Sequence, residues 1–209
     1  MPCKATDAMS GSQYFERSPD VPSDLRTISV SLPDGVLELQ TDRGVFSHGA
    51  LDTGTRVLLL GAPAPSATGD LLDLGCGTGA IALTLARRSP EATVWAVDVN
   101  DRALELCRAN AERNGITNVR ACRPDELPAE IRFATIWSNP PIRIGKPALH
   151  DLLSQWLGRL ADGGTACIVV QKHLGADSLS RWFGERGWNV TRLTSRAGYR
   201  LLSITPPQR

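Results

Sequence analysis

Hydrophobic and polar positions alternate in two different ways along this chain. Near the start, "TISVSL" and "VLELQT" carry apolar residues at every second position on either side of "PDG", which predicts a β-hairpin. Later, short apolar runs such as "LLDLG", "TVWAVDV", "FATIWS" and "TACIVVQ" are separated by segments with apolar residues at i, i+3 and i+4 spacing, which predict helices. The longest of these is "PALHDLLSQWLGRL", which Pro147 opens. Strands that alternate with helices indicate a parallel sheet covered on both faces.

The end of the chain predicts a second hairpin, because "NVTRLTS" and "YRLLSIT" flank the turn "RAG". We therefore expect an α/β fold of the Rossmann-like, doubly wound type. It has a mostly parallel seven-stranded sheet with an antiparallel C-terminal edge strand, plus a small N-terminal hairpin. Along the chain we expect a flexible tail over residues 1–22, then a hairpin, short helix and linker packed on the core over 23–69, and the main domain over 70–209.

Three glycines follow the first strand of the alternating region, in the turn "DLGCGTGA" (residues 73–80). Gly75, Gly77 and Gly79 let the backbone turn tightly and approach a ligand closely, while the next helix directs its N-terminal amides at an anionic group. Asp98 ends the second strand, where a carboxylate is suited to hydrogen bonding with ribose hydroxyls. The glycine turn by itself also satisfies a loose dinucleotide fingerprint, so it does not identify the cofactor.

The stretch "ATIWSNPPIRIGK" ends an apolar strand with an asparagine and two prolines. Because proline cannot donate to a sheet and restricts the residue before it, the strand must end at Ser138 or Asn139, with Asn139 extended. Ligands of open α/β sheets bind beyond the carboxyl ends of the strands. There the Asn139 side-chain oxygen and the Pro140 carbonyl, both acceptors, would bind an exocyclic amino group. Both would direct its nitrogen lone pair toward an in-line electrophile.

Composition changes this picture mainly by exclusion. No apolar run approaches the roughly 20 residues of a membrane span, and the first residues lack the apolar centre of a signal peptide, so we expect a cytoplasmic protein. The five cysteines are scattered without a CxxC pair, and the three histidines are too dispersed to indicate a metal site. The net charge is +1, but from residue 140 onward ten Lys and Arg stand against four Asp and Glu. That excess indicates either a nearby polyanion or a solvated helix face.

These motifs in combination resemble a known family. "DLGCGTG", Asp98 and "SNPPI" are similar to class I S-adenosylmethionine-dependent methyltransferases that act on amino groups. The string "NPPIRIGK", with "GVFS" and "LDTGTRVLL" upstream and "VVQKHLGA" and "GYRLL" downstream, resembles the small-methyltransferase family, which includes 16S ribosomal RNA guanine-N2 methyltransferases. The likeness runs from about Gly44 to Ile204. It implies S-adenosylmethionine as the cofactor, ribosomal RNA or the small ribosomal subunit as the partner, and residues 70–209 as the cofactor-binding methyltransferase domain.

The resemblance also implies roles for individual residues. Asp98 would hold the ribose, Val99 would contact the adenine, and Asp125 would lie at the adenine amino group. The residues implied at the acceptor are Asn139, Pro140, Pro141 and Ile142. The residues implied in cofactor binding are Asp73, Gly75, Gly77, Gly79, Asp98, Val99, Asp125, Asn139 and Phe46, the last beside Ser47 over the cofactor cleft.

Basic residues follow the tip and the neighbouring strand ends. As a group they would hold the phosphates of a folded RNA, although each alone is typical of a solvated surface. They are Arg143, Lys146, Lys172 and Arg200, with His173 and Arg196 nearby.

One position departs from the pattern of many amino methyltransferases, which carry Tyr or Phe after the two prolines. Ile142 stands there and offers only van der Waals contact, so base stacking must come from elsewhere or from the Arg143 guanidinium. Three alternatives to an RNA guanine-N2 methyltransferase therefore stay open: a methyltransferase acting on a protein amide or small amine, a non-catalytic cofactor- or RNA-binding module, and a nicotinamide dehydrogenase. The sequence gives no oligomeric state.

Overall fold

The computed structural model describes residues 21–207. They begin with the predicted hairpin, in which β1 (Arg26–Leu32) and β2 (Gly35–Thr41) pair antiparallel. The alternation of the sequence appears in its burial, because Leu37 and Leu39 are fully buried while their neighbours along β2 are not. The predicted tail at residues 1–22 lies almost entirely outside the described residues.

After the hairpin the described chain alternates between strands and helices, as the hydrophobic pattern predicts. None of the helices in the described ranges is long and apolar enough to cross a membrane. In chain order the elements are α1 (Thr53–Gly61), β3 (Asp70–Leu74), α2 (Ala80–Arg88), β4 (Thr93–Val97), α3 (Asp101–Arg113), β5 (Val119–Cys122), β6 (Phe133–Ser138), α4 (Lys146–Leu157), β7 (Leu160–Gln171), α5 (Ala176–Gly184), β8 (Asn189–Arg196) and β9 (Tyr199–Thr205).

The main sheet has seven strands in the order β5-β4-β3-β6-β7-β9-β8. Strands β3 to β7 are parallel, and the closing hairpin supplies the antiparallel strand, β9, which pairs with β7 on one side and with β8 on the other. Ala197 and Gly198 connect β8 and β9 with positive φ angles of 51° and 80°, the combination of a type I′ turn. The expected fold class is confirmed, with β9 one position inside the edge that β8 forms.

The two faces of the sheet carry separate hydrophobic cores, because successive strand residues point to opposite sides. In β3, Leu71 belongs to the core shared with the hairpin, α1, α2 and α3, whereas Leu72 belongs to the core under α4 and α5. Strands buried on both faces are typical of doubly wound sheets, which explains why these segments read as continuous apolar runs.

The N-terminal hairpin is attached to the main sheet's helices by side-chain hydrogen bonds. Asn110 of α3 and Asn114, which follows α3 directly, each bond to the free edge of β2: their Oδ1 atoms accept from the backbone of Gln40 (2.7 Å) and Glu38 (3.1 Å), and their amide nitrogens donate back to the same residues. The hairpin edge is therefore satisfied by a helix rather than by a further strand, which protects it from pairing with another chain.

The largest difference in length from the sequence expectation is in β7, and the helix predicted before it ends at Leu157 instead of Leu160. "TACIVVQ" predicts a strand from residue 165, but β7 begins at Leu160 and includes "DGG". Leu160 pairs with Phe133, and the register then shifts so that Thr165 pairs with Thr135. The glycines therefore form an irregularity inside a strand, where the sequence suggests a turn.

Candidate active site

A cavity of about 530 Å³ lies at the carboxyl ends of β3, β4 and β6. The sheet order reverses between β3 and β6, so this is the topological switch point where open α/β sheets bind ligands. Leu74 at the end of β3 pairs with Ser138 at the end of β6, and the Ser138 hydroxyl donates to the Leu74 carbonyl at 2.7 Å. The glycine turn and the Asn-Pro-Pro tip thus begin side by side. Ten predicted site residues line the cavity: Phe46, Gly75, Gly77, Asp98, Val99, Asn139, Pro140, Pro141, Ile142 and Arg143.

The glycine turn forms one wall of the cavity through its backbone. The amides of Gly75 and Cys76 both donate to the Val97 carbonyl, at 2.8 and 3.0 Å, which fixes the turn to the end of β4. Gly75 has a φ of 78° and Gly77 a φ of 51°. A Cβ at Gly75 would have no heavy atom within 4 Å, so this side of the turn faces open space that a ligand can occupy.

Two of the residues assigned to the cofactor lie behind this wall instead of lining it. Gly79 contacts α3, because a Cβ there would lie 2.7 Å from the Cys107 sulfur. Asp73 is fully buried, and its Oδ2 accepts from the Ala82 amide at 2.9 Å, which caps α2 in place of a side chain on Gly79. Among the described residues, nothing hydrogen bonds to the Asp73 Oδ1. Burial, with a smaller effect of the Asp98 charge, raises the pKa of Asp73 to about 8.

Asp98 is held by the glycine turn and by the start of α3. Its Oδ2 accepts from the Gly77 amide at 2.9 Å and its Oδ1 from the Asn100 amide at 3.0 Å. Burial raises the pKa of Asp98, although these amides oppose the shift. Beside it, Val99 is 44% exposed and Phe46 is 48% exposed, and both line the cavity. A carboxylate next to exposed apolar side chains suits a ribose joined to a flat base.

Asp125 lies at the surface near this wall. Its side chain is 74% exposed and forms an ion pair with the Arg123 Nε at 3.4 Å, while the neighbouring Pro124 lines the cavity. The predicted contact between Asp125 and an adenine amino group stays a prediction.

The Asn139 side chain has a fixed orientation. Its amide nitrogen donates to the Asp52 Oδ2 at 2.7 Å and to the Thr55 hydroxyl at 3.0 Å. Because a carboxylate only accepts hydrogen bonds, the amide nitrogen must face Asp52. The Asn139 Oδ1 then lies on the other side of the amide group, where no described residue donates to it, and remains available to a ligand.

The two partners of Asn139 were not predicted from the sequence. Asp52 is the N-cap of α1, and its Oδ2 also accepts from the Thr55 amide at 2.8 Å. The segment "LDTGT" indicates a helix start at Asp52, and the structure confirms that start. Nothing in the sequence indicates the contact of Asp52 with Asn139, which is 87 positions away.

The predicted RNA-binding residues differ in their position relative to the cavity and in their exposure. Arg143 lines the cavity beside Ile142, Lys146 is exposed at the start of α4, and Lys172 is exposed after β7. The Arg200 side chain is only 11% exposed and forms an ion pair with Asp177. Arg200 would have to leave this ion pair to contact RNA.

The strand order, the glycine turn and the cavity at the switch point define a Rossmann-like methyltransferase fold. The family model for the methyltransferase small domain matches residues 36–203, and this chain belongs to that family. The resemblance inferred from the motifs is therefore confirmed.

Relatives of two kinds match the chain. The uncharacterized protein YbxB of Bacillus subtilis is 36% identical over 192 residues, which cover 90% of this chain and 96% of that protein. The ribosomal RNA small subunit methyltransferase C of Shewanella sediminis is 33% identical over 179 residues, which cover 82% of this chain and 52% of that enzyme. The corresponding enzyme of Ectopseudomonas mendocina is 36% identical, with 75% of this chain and 48% of that enzyme covered. This chain thus spans about half the length of the methyltransferase C relatives.

Solved structures support the same fold. The 16S rRNA N2-guanine methyltransferase of Thermus thermophilus, solved with AdoMet and guanosine, superposes with a TM-score of 0.70 at 26% identity and covers 90% of this chain and 52% of that one. An rRNA methylase from Streptococcus thermophilus has a TM-score of 0.54 at 19% identity, which shows the fold alone. The family and the AdoMet-bound neighbour agree with the expectation of S-adenosylmethionine as the cofactor.

Proposed function

We propose that this protein is an S-adenosylmethionine-dependent methyltransferase that methylates an exocyclic amino group, the N2 of a guanine in ribosomal RNA. The observation that carries the proposal is the fixed amide of Asn139, a residue that lines the cavity: Asp52 and Thr55 bind its nitrogen at 2.7 and 3.0 Å, which leaves its oxygen available as an acceptor. A nicotinamide dehydrogenase would have no use for an acceptor held in this way.

The cavity fits the cofactor on the glycine-turn side. Gly75 and Gly77 leave room for its amino acid part, and the Asp98 carboxylate is placed for ribose hydroxyls. Val99 and Phe46 expose apolar surface that would contact the adenine ring. When bound, S-adenosylmethionine supplies an electrophilic methyl group on a sulfonium.

The Asn-Pro-Pro tip acts on the acceptor. The Asn139 Oδ1 and the Pro140 carbonyl accept the two N–H groups of the exocyclic amine, which draws its lone pair out of conjugation and toward the methyl group. The new C–N bond forms as the C–S bond breaks, and the surplus proton on nitrogen leaves to water afterwards. Because both acceptors are held before substrate binds, little ordering is required in the transition state.

The choice of guanine N2 in ribosomal RNA rests on the relatives. Two of them are named ribosomal RNA small subunit methyltransferase C, and a solved neighbour is a 16S rRNA N2-guanine methyltransferase with bound guanosine. The exposed Arg143, Lys146 and Lys172 supply positive charge beside the tip, as phosphate binding requires. A ribosomal RNA substrate would also place the enzyme in the cytoplasm.

The test is to incubate the protein with methyl-labelled cofactor and separate RNA, protein and small-molecule fractions from cells that lack it. We expect label in ribosomal RNA, and N2-methylguanosine after digestion to nucleosides and mass spectrometry. Label confined to the protein fraction would replace the RNA acceptor with a protein amide. Cofactor binding by calorimetry without label in any fraction would indicate a non-catalytic binding module.

A further inference from the structure

A second, smaller cavity opens next to the catalytic tip. It has a volume of about 400 Å³ and lies between α4, the end of β7 and the start of α5. Ile142, Arg143 and Leu174 line both cavities, so the two cavities adjoin at the residue that follows the two prolines. A substrate group that enters the main cavity to reach Asn139 would therefore have the second cavity directly beside it.

The charge of the second cavity is one-sided. Arg143, Lys146 and His173 line it, and none of the described residues in its lining is acidic. The nearest acidic side chain on α5, Asp177, is ion-paired with Arg200. The first turn of α5 adds backbone amides at Gly175–Ser178, since the N-terminus of a helix favours anions.

The aromatic ring of His150 also lines this cavity. Its ring stacks on Trp182 with centroids 4.0 Å apart, and Arg186 lies over the same indole at 4.4 Å. Burial and then the charges of Arg186 and Lys146 lower the pKa of His150, against the smaller effect of Asp151. The lowered pKa favours the uncharged imidazole, which lies next to an apolar floor formed by Leu149 and Leu179.

We propose that this second cavity binds the nucleotide next to the target guanine, with its phosphate on Arg143 and Lys146 and its ribose and base against the apolar floor. The inference rests on the proposed function, since it needs the target amine at Asn139. It also accounts for Ile142, because a nucleotide in the adjoining cavity would position the base where many amino methyltransferases carry an aromatic ring. Charge complementarity and the position beside the main cavity favour RNA over a neutral protein segment.

The test measures binding, separately from methyl transfer. A fluorescent single-stranded RNA with one central guanine is titrated with the protein in S-adenosylhomocysteine, so that no methyl group moves. Lys146→Ala should weaken binding about tenfold and His173→Ala by less, because Lys146 is proposed to hold the phosphate whereas His173 only lines the cavity. The slope of log affinity against log salt should become shallower by about 0.7 for Lys146→Ala. Arg113→Ala is the matched control, since Arg113 is exposed at the C-terminal end of α3, at the opposite edge of the sheet.

One further protein variant and one modified RNA distinguish binding in the second cavity from binding to a charged surface. Ser178→Leu fills the second cavity without altering its charge and should also weaken RNA binding. An RNA with a neutral methylphosphonate linkage beside the guanine should lose more affinity for the wild type than for Lys146→Ala, in which only Arg143 remains to contact that phosphate. Thermal unfolding checks that every variant remains folded, and calorimetry should show unchanged cofactor affinity in Lys146→Ala and His173→Ala.

The outcomes distinguish this inference from the proposed function. If Lys146→Ala and Ser178→Leu bind the RNA as tightly as Arg113→Ala does, the second cavity is not a nucleotide site, even where methyl label enters RNA. Equal losses of RNA affinity in Lys146→Ala and Arg113→Ala would show that net charge alone causes the effect, which would also overturn the inference. If Lys146→Ala and Ser178→Leu alone lose RNA affinity while no methyl label enters RNA, the nucleotide site is supported and the proposed reaction is overturned. Wild-type protein that binds no RNA would overturn the inference, and the labelling experiment would decide the reaction by itself.

Discussion

On the β3 and β4 side of the main cavity, the contacts are made by backbone amides: those of the glycine turn bond to the adjacent strand end, and Asp98 accepts from the amides of Gly77, 21 positions away, and Asn100. On the β6 side, the central residue Asn139 is held by Asp52 and Thr55, 87 and 84 positions away, at the start of a helix that precedes the whole main sheet. One wall is thus organised by the backbone of two adjacent strand ends, and the other by side chains that are far apart in the chain. The cofactor side should therefore respond to backbone changes and the acceptor side to side-chain changes.

The largest effect is expected at Asn139. Asn139→Ala should lower the rate of methyl transfer by about 100-fold or more, since an acceptor poised for the transition state is lost. Cofactor affinity by calorimetry should change little, because the glycine turn and Asp98 are untouched. Asn189→Ala is the matched control: Asn189 is exposed on β8 and donates to the Pro206 carbonyl at 3.1 Å. An unchanged rate of methyl transfer in Asn139→Ala would contradict the assignment of acceptor binding to the β6 side of the cavity.

Two glycine substitutions should give opposite phenotypes. Gly79→Ala places a Cβ 2.7 Å from the Cys107 sulfur and 3.3 Å from its Cα, with a φ of 87°, so unfolding should become easier by about 3 kcal/mol. Gly75→Ala meets no atom within 4 Å and should cost only about 1 kcal/mol for its φ of 78°.

Gly75→Ala should instead weaken cofactor binding, because its methyl group enters the space that faces the cavity. Urea unfolding and calorimetry measure the two quantities on the same samples. The prediction fails if Gly75→Ala binds the cofactor normally or if both variants lose the same stability.

A smaller effect is expected at Thr55, which acts through Asn139. Thr55→Val keeps the shape but removes the hydroxyl that accepts from the Asn139 amide at 3.0 Å. The turnover number should fall about three- to tenfold while the KM for the cofactor stays constant, since one of two hydrogen bonds that orient the amide is lost. Thr55→Ser should restore turnover. Equal turnover in the valine and serine variants would show that the hydroxyl does not position Asn139.

A separate effect, gradual with each pH unit, is on the pH dependence of stability, and it comes from Asp73 behind the cofactor wall. Its pKa is about 8 in the folded protein against an ordinary value of 3.8, so its contribution to stability is complete below the ordinary value. The contribution is lost as the pH rises toward and through the folded value. The free energy of unfolding should fall by at most about 1.4 kcal/mol per pH unit in this window, the slope that one proton bound only in the folded state produces.

Asp73→Asn should flatten this part of the stability curve, since the amide oxygen still accepts from Ala82 but no proton is bound or released. Unfolding in urea at a series of pH values measures the slope. A slope that is the same in wild type and Asp73→Asn would show that the carboxyl ionises normally in the folded protein.

Much of the fold could be predicted because its signals are local. The segments "FATIWS" and "YRLLSIT" correspond to β6 and β9 residue for residue. Asn is a favoured N-cap residue, and Asn100 caps α3, accepting from the Arg102 and Ala103 amides. The error in β7 arose where "DGG" suggests a turn, because strand pairing with Phe133 outweighs the local preference of glycine.

The site was predictable to a lesser extent. The sequence places Gly75, Gly77, Asp98 and Asn139 at strand ends, and all four line the cavity. The sequence does not distinguish these residues from Gly79, which faces α3, because the glycines of one turn differ only in the residues that surround them in the folded protein.

The amino-acid sequence by itself determined the order of the elements, the helix start at Asp52 and the Asn-Pro-Pro tip, because hydrophobic period, capping and proline act between residues close in the chain. Only the tertiary structure decided that Asp52 holds Asn139 across 87 positions and that Arg200 pairs with Asp177 instead of facing solvent. The physical reason is that such contacts depend on where α1 and α5 pack over the sheet. That placement is set by the burial of whole faces and not by the residues that later touch.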